Sequence, residues 1–278
     1  MHDLTPPSGF SYVRPVSINV HGQVLAYAHD PKGGDDAVVF DRKFFAYSSP
    51  IGSVTTTPGT GFYLLGLNAG GAILGVDVYG ALSEPEPFES YVLTNNGGTT
   101  TPLQPNYGTY LDGSGINDSG TVAGIATTCA SGNECPRGFI ASGGKVKMLV
   151  VPGAQALSGG LINNHGNVAG AETDGEGHAH IWIYRNGAYE LLLPGKSHLQ
   201  ASVGAFNDQG MLAALTDGPA ANTIYATVWT HKGVAALGAW PTTDIVRIGG
   251  MNNQGTVVPN VTSATSTSAY IATCNGCD

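Results

Sequence analysis

The chain has 278 residues, 41 of them glycine and only 11% charged, against about 7% glycine and about 25% charged in ordinary globular chains. Hydrophobic residues make up 42%, enough for a sizeable core, so wholesale disorder is excluded. Eleven basic against twenty acidic residues leave a net charge of −9, which argues against nucleic acid and anionic membrane partners, and no apolar run reaches the roughly 18 residues of a membrane span.

The first residues, Met1-His2-Asp3-Leu4-Thr5-Pro6-Pro7, lack the basic stretch and apolar core of a signal peptide. They read as the start of a mature secreted or periplasmic chain, with a cytoplasmic chain as the alternative. A short pattern then recurs along the whole sequence. It runs Ile18-Asn19-Val20-His21-Gly22, Leu67-Asn68-Ala69-Gly70-Gly71, Ile116-Asn117-Asp118-Ser119-Gly120, Ile162-Asn163-Asn164-His165-Gly166, Phe206-Asn207-Asp208-Gln209-Gly210 and Met251-Asn252-Asn253-Gln254-Gly255. Successive Asn residues stand 49, 49, 46, 44 and 45 positions apart. The 26 residues after Asn252 and the 19 up to Asn19 together make one further period of 45. A linear solenoid has no reason to produce that match. A ring in which the N-terminus completes the last repeat does, so residues 1–278 are expected to form a single domain.

Each Asn-x-x-Gly is expected to be a tight hairpin turn, with Asn capping its own backbone and Gly supplying positive φ. Repeat four shows the strands best: 159–162, 167–172, 178–184 and 188–193, the last two joined by Arg185-Asn186-Gly187. Four-stranded units of about 45 residues in a closed ring describe an all-β, six-bladed β-propeller. The closing blade is expected to take three strands from residues 245–273 and its fourth from residues 2–6.

The runs INDSGTVAG (116–124), GHAHIWIYRNG (177–187) and HDLTPPSG (2–9) resemble parts of the HAF repeat of bacterial extracellular proteins. Repeat four comes nearest its His-Ala-Phe triplet, as His178-Ala179-His180. The resemblance implies a secreted or surface propeller and no particular reaction. The Ser-x-Asp-x-Gly-x-Thr-Trp boxes of sialidase-type propellers do not occur in the sequence.

Aligning the repeats on their Asn gives candidate ligand positions at the start of each first strand. Five residues before it stand Arg14, Tyr63, Asp112, Ser158, Ser202 and Arg247; seven before stand Tyr12, Gly61, Tyr110, Ala156, Gln200 and Ile245. The intervening position is apolar, so positions five and seven share a face directed at the central channel. Arg14 and Arg247 then fall on adjacent blades, where two guanidinium groups favour an anionic ligand such as a carboxylate, unless Asp112 or Asp244 pairs with them. Two functional readings follow: a module binding a saccharide or acidic small molecule, or a lyase or hydrolase on a carboxylate-bearing carbohydrate. In the second, Tyr12, Tyr63, Tyr110, His198 or Asp112 handles the proton, while Arg14, Arg247, Gln200 and Asp244 hold the ligand. A protein-interaction scaffold is the third reading. The chain is expected to be a monomer.

His178 and His180 share a strand face with Asp174 and Glu176 just before them, a residue set that suits zinc or copper. Because His180 aligns with packing positions in the other repeats, a structural role is the favoured reading there, and no metal is assigned. Glu84, Glu86 and Glu89 read as a solvated loop stiffened by Pro85 and Pro87. No Gly-x-Ser-x-Gly, phosphate-loop or dinucleotide fingerprint occurs, so no cofactor is expected. The four cysteines form two close pairs. Disulfides are favoured over a four-thiolate zinc site, because the second–third strand loop and the third–fourth strand turn leave a blade at opposite ends. The expected bridges are Cys129–Cys135 and Cys274–Cys277.

Overall fold

A computed structural model describes residues 6, 8–32, 34–40, 47–50, 61–78, 88–94, 100–102, 111–126, 137–149, 153–192, 200–217 and 222–274, and every regular element among them is a strand. β1 (Val13–Ile18), β2 (Val24–Asp30), β3 (Gly34–Phe40) and β4 (Tyr47–Pro50) form one sheet in chain order. β5 (Gly61–Leu67), β6 (Ala72–Val78), β7 (Phe88–Thr94) and β8 (Thr100–Pro102) repeat the pattern, as do β9 (Leu111–Ile116), β10 (Val122–Ala126), β11 (Arg137–Ser142) and β12 (Lys145–Leu149). The third and fourth sheets hold β13 (Ala154–Ile162), β14 (Val168–Asp174), β15 (Ala179–Arg185) and β16 (Ala188–Leu192), then β17 (Ala201–Phe206), β18 (Leu212–Asp217), β19 (Thr223–Thr230) and β20 (Gly233–Pro241). The last contains β21 (Ile245–Met251), β22 (Thr256–Thr262), β23 (Thr267–Ala269) and β24 (Ala272–Thr273).

Among the described residues hydrogen bonding links the strands into five sheets, which corrects the expected six blades. The reason is local. A single parallel bridge, Glu89 to Leu111, joins β7 to β9 and fuses β5–β12 into one eight-stranded sheet. The chain falls into two compact units, residues 1–134 with 139–148, and residues 135–138 with 149–278.

All six Asn-x-x-Gly segments are the expected turns. In each, the Gly N–H donates to the Asn carbonyl at 3.0–3.1 Å. The six glycines hold φ of 76–79°, a conformation that costs other residues strain. The Asn side chain does more than cap. Its Oδ1 accepts the backbone N–H four residues on in all six turns, and the one two residues on at Asn19, Asn117, Asn163 and Asn252, as Asn163 does from His165 at 3.1 Å and Asn167 at 3.0 Å. Its Nδ2 reaches the carbonyl of the next repeat's Asn. In the first unit Asn19 donates to Asn68 O and Asn68 to Asn117 O, each at 3.0 Å. In the second, Asn163 donates to Asn207 O at 3.0 Å and Asn207 to Asn252 O at 2.9 Å. Only an amide supplies both an acceptor and two donors here. That is why the position is Asn rather than Asp or Ser.

Each first strand also carries a β-bulge just before its turn, with register shifts at Pro15/Ser17, Leu64/Gly66, Gly159/Leu161, Val203/Ala205 and Ile248/Met251, and opposite Ala123/Gly124. The extra residue flips the alternation between strand start and turn.

Cores lie between consecutive sheets of each unit. In the first, Leu25, Tyr27 and Val39 pack on Leu64, Leu67 and Ile73. In the second, Ile181 and Ile183 meet Leu212 and Ala214, and Met211 and Val228 meet Val257 and Cys274. Cys274 is not a free thiol; Cys129, Cys135 and Cys277 lie outside the described residues. Among the described residues the last sheet shows three ranks of strand. β23 and β24 both pair with β22 in one unbroken register, Thr262↔Thr267 through Thr256↔Thr273. They form a single third strand, interrupted opposite Val258-Pro259, where Tyr270 N–H still reaches Pro259 O at 2.9 Å. Proline offers no donor to a ladder, which accounts for the break. Residues 1–5, expected to supply most of the fourth strand, lie outside the described residues.

Candidate functional site

The strand-start positions alternate as expected. Arg14, Ser158, Ser202 and Arg247 are exposed and Asp112 is half-buried, whereas Leu111 and Val246 between them are buried. Tyr12, Gln200 and Ile245 are exposed as well.

In the first unit these residues are engaged with their own sheet. The Tyr12 ring stacks on His29 with centroids 4.8 Å apart. The Arg14 guanidinium lies 4.6 Å over the Tyr27 ring, a cation–π arrangement, and the Tyr27 hydroxyl accepts the Leu64 N–H at 2.5 Å. Burial raises the Asp112 carboxyl above its ordinary range. Tyr63 lies on β5, where its backbone pairs with Val76. Tyr110 and His198 fall outside the described residues.

In the second unit the strand starts open on a cleft of about 430 Å³, within the size range of small-ligand sites. It draws on three consecutive sheets: Thr173 and Ala179 from one, Gln200 to Ser202, Leu215 to Asp217 and Ile224 from the next, and Val246 from the last. Its rim is tied by a reciprocal pair, Asp217 N–H to Gln200 O at 3.3 Å and Gln200 N–H to Asp217 Oδ1 at 3.4 Å. Of the expected ligand residues, Gln200 lines this cleft. Arg247 is exposed on β21, facing away from its neighbour Val246 in the strand's alternation. Asp244, half-buried, closes the preceding turn by donating its N–H to Pro241 O at 3.0 Å. Alignment on first strands missed Thr173, Leu215, Thr216, Asp217 and Ile224. A signal existed, since Thr216 and Leu215 are the cross-strand partners of Ala201 and Ser202.

A second polar cluster occupies the turn between β14 and β15. Asp174 copies the Asn turns: Gly177 N–H donates to its carbonyl at 3.1 Å, and its Oδ1 accepts Glu176 and His178 N–H, each at 2.9 Å. Its Oδ2 lies 3.0 Å from His180 Nε2 and 3.4 Å from His178 Nδ1, and Glu176 Oε2 lies 3.5 Å from that same Nδ1. The His180 bond, then the backbone bond from His178, holds the Asp174 carboxyl well below the usual carboxylate range. Across the strand from His180 stands Glu172, 4% exposed, its carboxyl pushed up by burial while His180 opposes the shift. Burial also raises the Tyr189 hydroxyl, with Tyr184 adding to it. Among the described residues, no group of three or more His, Cys, Asp or Glu side chains is placed so that it could hold a metal ion, and no helix is long and apolar enough to cross a membrane.

No protein-family model and no curated protein matches the chain. Solved structures do. The chain is similar to the β-propeller domain of the Trilobed protease from Pyrococcus furiosus, described as having an open velcro topology, with 11% identity over 81% of this chain and 66% of that one, at a TM-score of 0.58. It is similar to TolB from Acinetobacter baumannii, with 12% identity over 91% and 64% and a TM-score of 0.52. An acylaminoacyl peptidase gives 12% identity over 96% and 44% and a TM-score of 0.65. The chain therefore spans less than two thirds of the length of these proteins. At such identities the likeness speaks for architecture alone: the fold is an all-β propeller with four-stranded blades.

Proposed function

We propose that this chain is a secreted or periplasmic binding propeller that holds a neutral saccharide in the cleft of its second unit. The cleft lining carries the reading: hydroxyls of Thr173, Ser202 and Thr216, the Gln200 amide and the Asp217 carboxylate surround apolar Ala179, Leu215, Ile224 and Val246. Hydroxyls, an amide and a carboxylate suit sugar hydroxyl groups, and the apolar side chains suit the C–H face of a ring. Among the described residues no basic side chain lines the cleft, which favours a neutral ligand over an acidic one. The TolB likeness and the HAF-type runs both support a periplasmic or extracellular setting.

The finer architecture belongs to the same reading. Six copies of the bulge and Asn turn favour six repeat units, with the eight-stranded sheet holding two of them. The three ranks described in the last sheet and the repeat arithmetic of the sequence favour closure by residues 2–6, and Cys274 is read as bridged to Cys277, Cys129 to Cys135. Glycan-array screening, followed by calorimetry on the best neutral oligosaccharide and on a polyuronate, tests the binding claim. Neutral-sugar binding that falls at least tenfold in Asp217→Asn and Gln200→Ala supports it; uniformly blank arrays, or preference for the polyuronate, overturn it. A protein-interaction scaffold is the second reading, favoured by the similarity to a propeller that is one domain of a larger protease.

A further inference from the structure

On the saccharide reading of the cleft, on which this rests, we propose that the cleft continues outward into an aromatic subsite. Trp240 and Tyr270 build it, and the ligand it completes is a neutral oligosaccharide of two or more units. Asp217 of β18 pairs with Ile224 of β19, and Ile224 pairs with Trp240 of β20, so the three side chains form one row on one face of their sheet. Asp217 and Ile224 line the cleft. Trp240 is the next place outward in the row, one strand spacing of about 4.7–4.9 Å beyond Ile224.

The indole leans back over the neighbouring row. Leu215, another cleft residue, pairs with Ala226, and Ala226 with Gly238. A Cβ at Gly238 would stand 2.6 Å from Trp240 Cη2, so the glycine makes room for the ring to lie against its own strand. The facing sheet supplies the second ring. Val246 lines the cleft and shares a row with Val261 and Ser268, and Tyr270 follows two residues after Ser268 on the same face. The two rings meet with centroids 6.0 Å apart and planes tilted by 50°. Both walls that leave the cleft therefore end on an aromatic side chain.

These rings stand outside the core that joins the two sheets. That core is built from Met211, Val228 and Val257, with Leu237 and Ile248 packed against it. The other tryptophans are committed to structure: Trp182 is fully buried, and Trp229 Nε1 donates to Thr227 Oγ1 at 3.0 Å. Trp240 by contrast is half-buried, and Tyr270 is 46% exposed. An aromatic face is electron-rich, and a pyranose can turn the weakly positive C–H bonds of one of its faces towards it while its hydroxyls stay in water. The polar lining of the cleft then holds one sugar by its hydroxyls, and the aromatic pair stacks on the next.

The test is calorimetry of the full chain with neutral mono-, di- and trisaccharides of the gluco, manno and galacto series, alongside tryptophan fluorescence. We expect one series in which affinity rises about tenfold or more from the monosaccharide to its oligomers, with a change in tryptophan emission on binding. Trp240→Ala should reduce that gain to about twofold or less, whereas Trp240→Phe, which keeps a ring, should retain most of the gain but lose the emission change. Gly238→Ala, which pushes the indole aside, should lower the gain as well. Val234→Ser, exposed at the far end of β20, should alter neither quantity. Oligomers that bind no more tightly than a binding monosaccharide, or a gain that survives Trp240→Ala, overturn the subsite and leave the cleft reading standing. Absence of binding at every length overturns the cleft reading and the subsite with it.

Discussion

Replacing Asn207 with alanine removes the acceptor for Met211 N–H, at 2.9 Å, and the donor to Asn252 O, also at 2.9 Å. The residue is 6% exposed, so water replaces neither partner readily. Each buried group left unsatisfied costs about 1–3 kcal/mol, giving about 2–6 kcal/mol for the pair. At about 2–4 °C per kcal/mol for chains approaching this size, the Tm should fall by about 4–24 °C in a calorimetric or circular-dichroism melt. Asn207→Asp is the sharper probe. It keeps an oxygen for Met211 but sets a second oxygen against the Asn252 carbonyl, so it should be as damaging at pH 7 and recover towards acid, where the protonated carboxyl donates. Gln209→Ala, exposed in the same turn, should stay within about 0.5 kcal/mol of the parent. If Asn207→Ala matched that control, or Asn207→Asp melted at a pH-independent offset, the amide ladder would not couple the repeats.

Three further outcomes follow from the same geometry. Gly170→Ala places a Cβ 2.4–3.0 Å from the Trp182 indole, so it should cost about 1–3 kcal/mol and shift tryptophan emission; an unchanged spectrum and Tm would refute the packing. Gly204→Ala, whose Cβ would meet the Ile248 Cβ at 2.3 Å, should destabilise the chain and be partly rescued by Ile248→Gly, which removes that atom, as a double-mutant cycle would show. Burial raises the folded-state Asp112 carboxyl, so its contribution is complete below the unfolded value near pH 4 and is lost as pH rises through the folded one. Asp112→Asn should therefore melt above the parent at pH 7, with the gap closing on acidification; a gap independent of pH would rule out burial as its cause.

The repeat was legible because glycine φ and Asn side-chain chemistry act within five residues of sequence. The strands of repeat four, expected at 159–162, 167–172, 178–184 and 188–193, occur as Ala154–Ile162, Val168–Asp174, Ala179–Arg185 and Ala188–Leu192. What stayed hidden is non-local. The Nδ2 bonds span 44–49 residues, and nothing in Asn-x-x-Gly distinguishes a capping Asn from one that also reaches the next repeat. The bulge left only a partial mark, since its position holds Gly160, Gly204 and Gly249 in three repeats but Val16, Leu65 and Ser114 in the others. The Glu89–Leu111 bridge and the strand break opposite Pro259 depend on where neighbouring backbones meet. At the site, strand alternation exposed Gln200 and Ser202 in the sequence, but the partners that complete the cleft come from second and third strands that alignment on the first strand does not sample.

The cleft reading is tested most directly by hydrogen–deuterium exchange of the whole chain with and without the neutral oligosaccharide that binds best. Slower exchange confined to residues 200–202, 215–217 and 173–179, lost together with affinity in Asp217→Asn, is the predicted result. Protection centred instead on the strand start holding Tyr12 and Arg14, or no protection at saturating sugar, would contradict it.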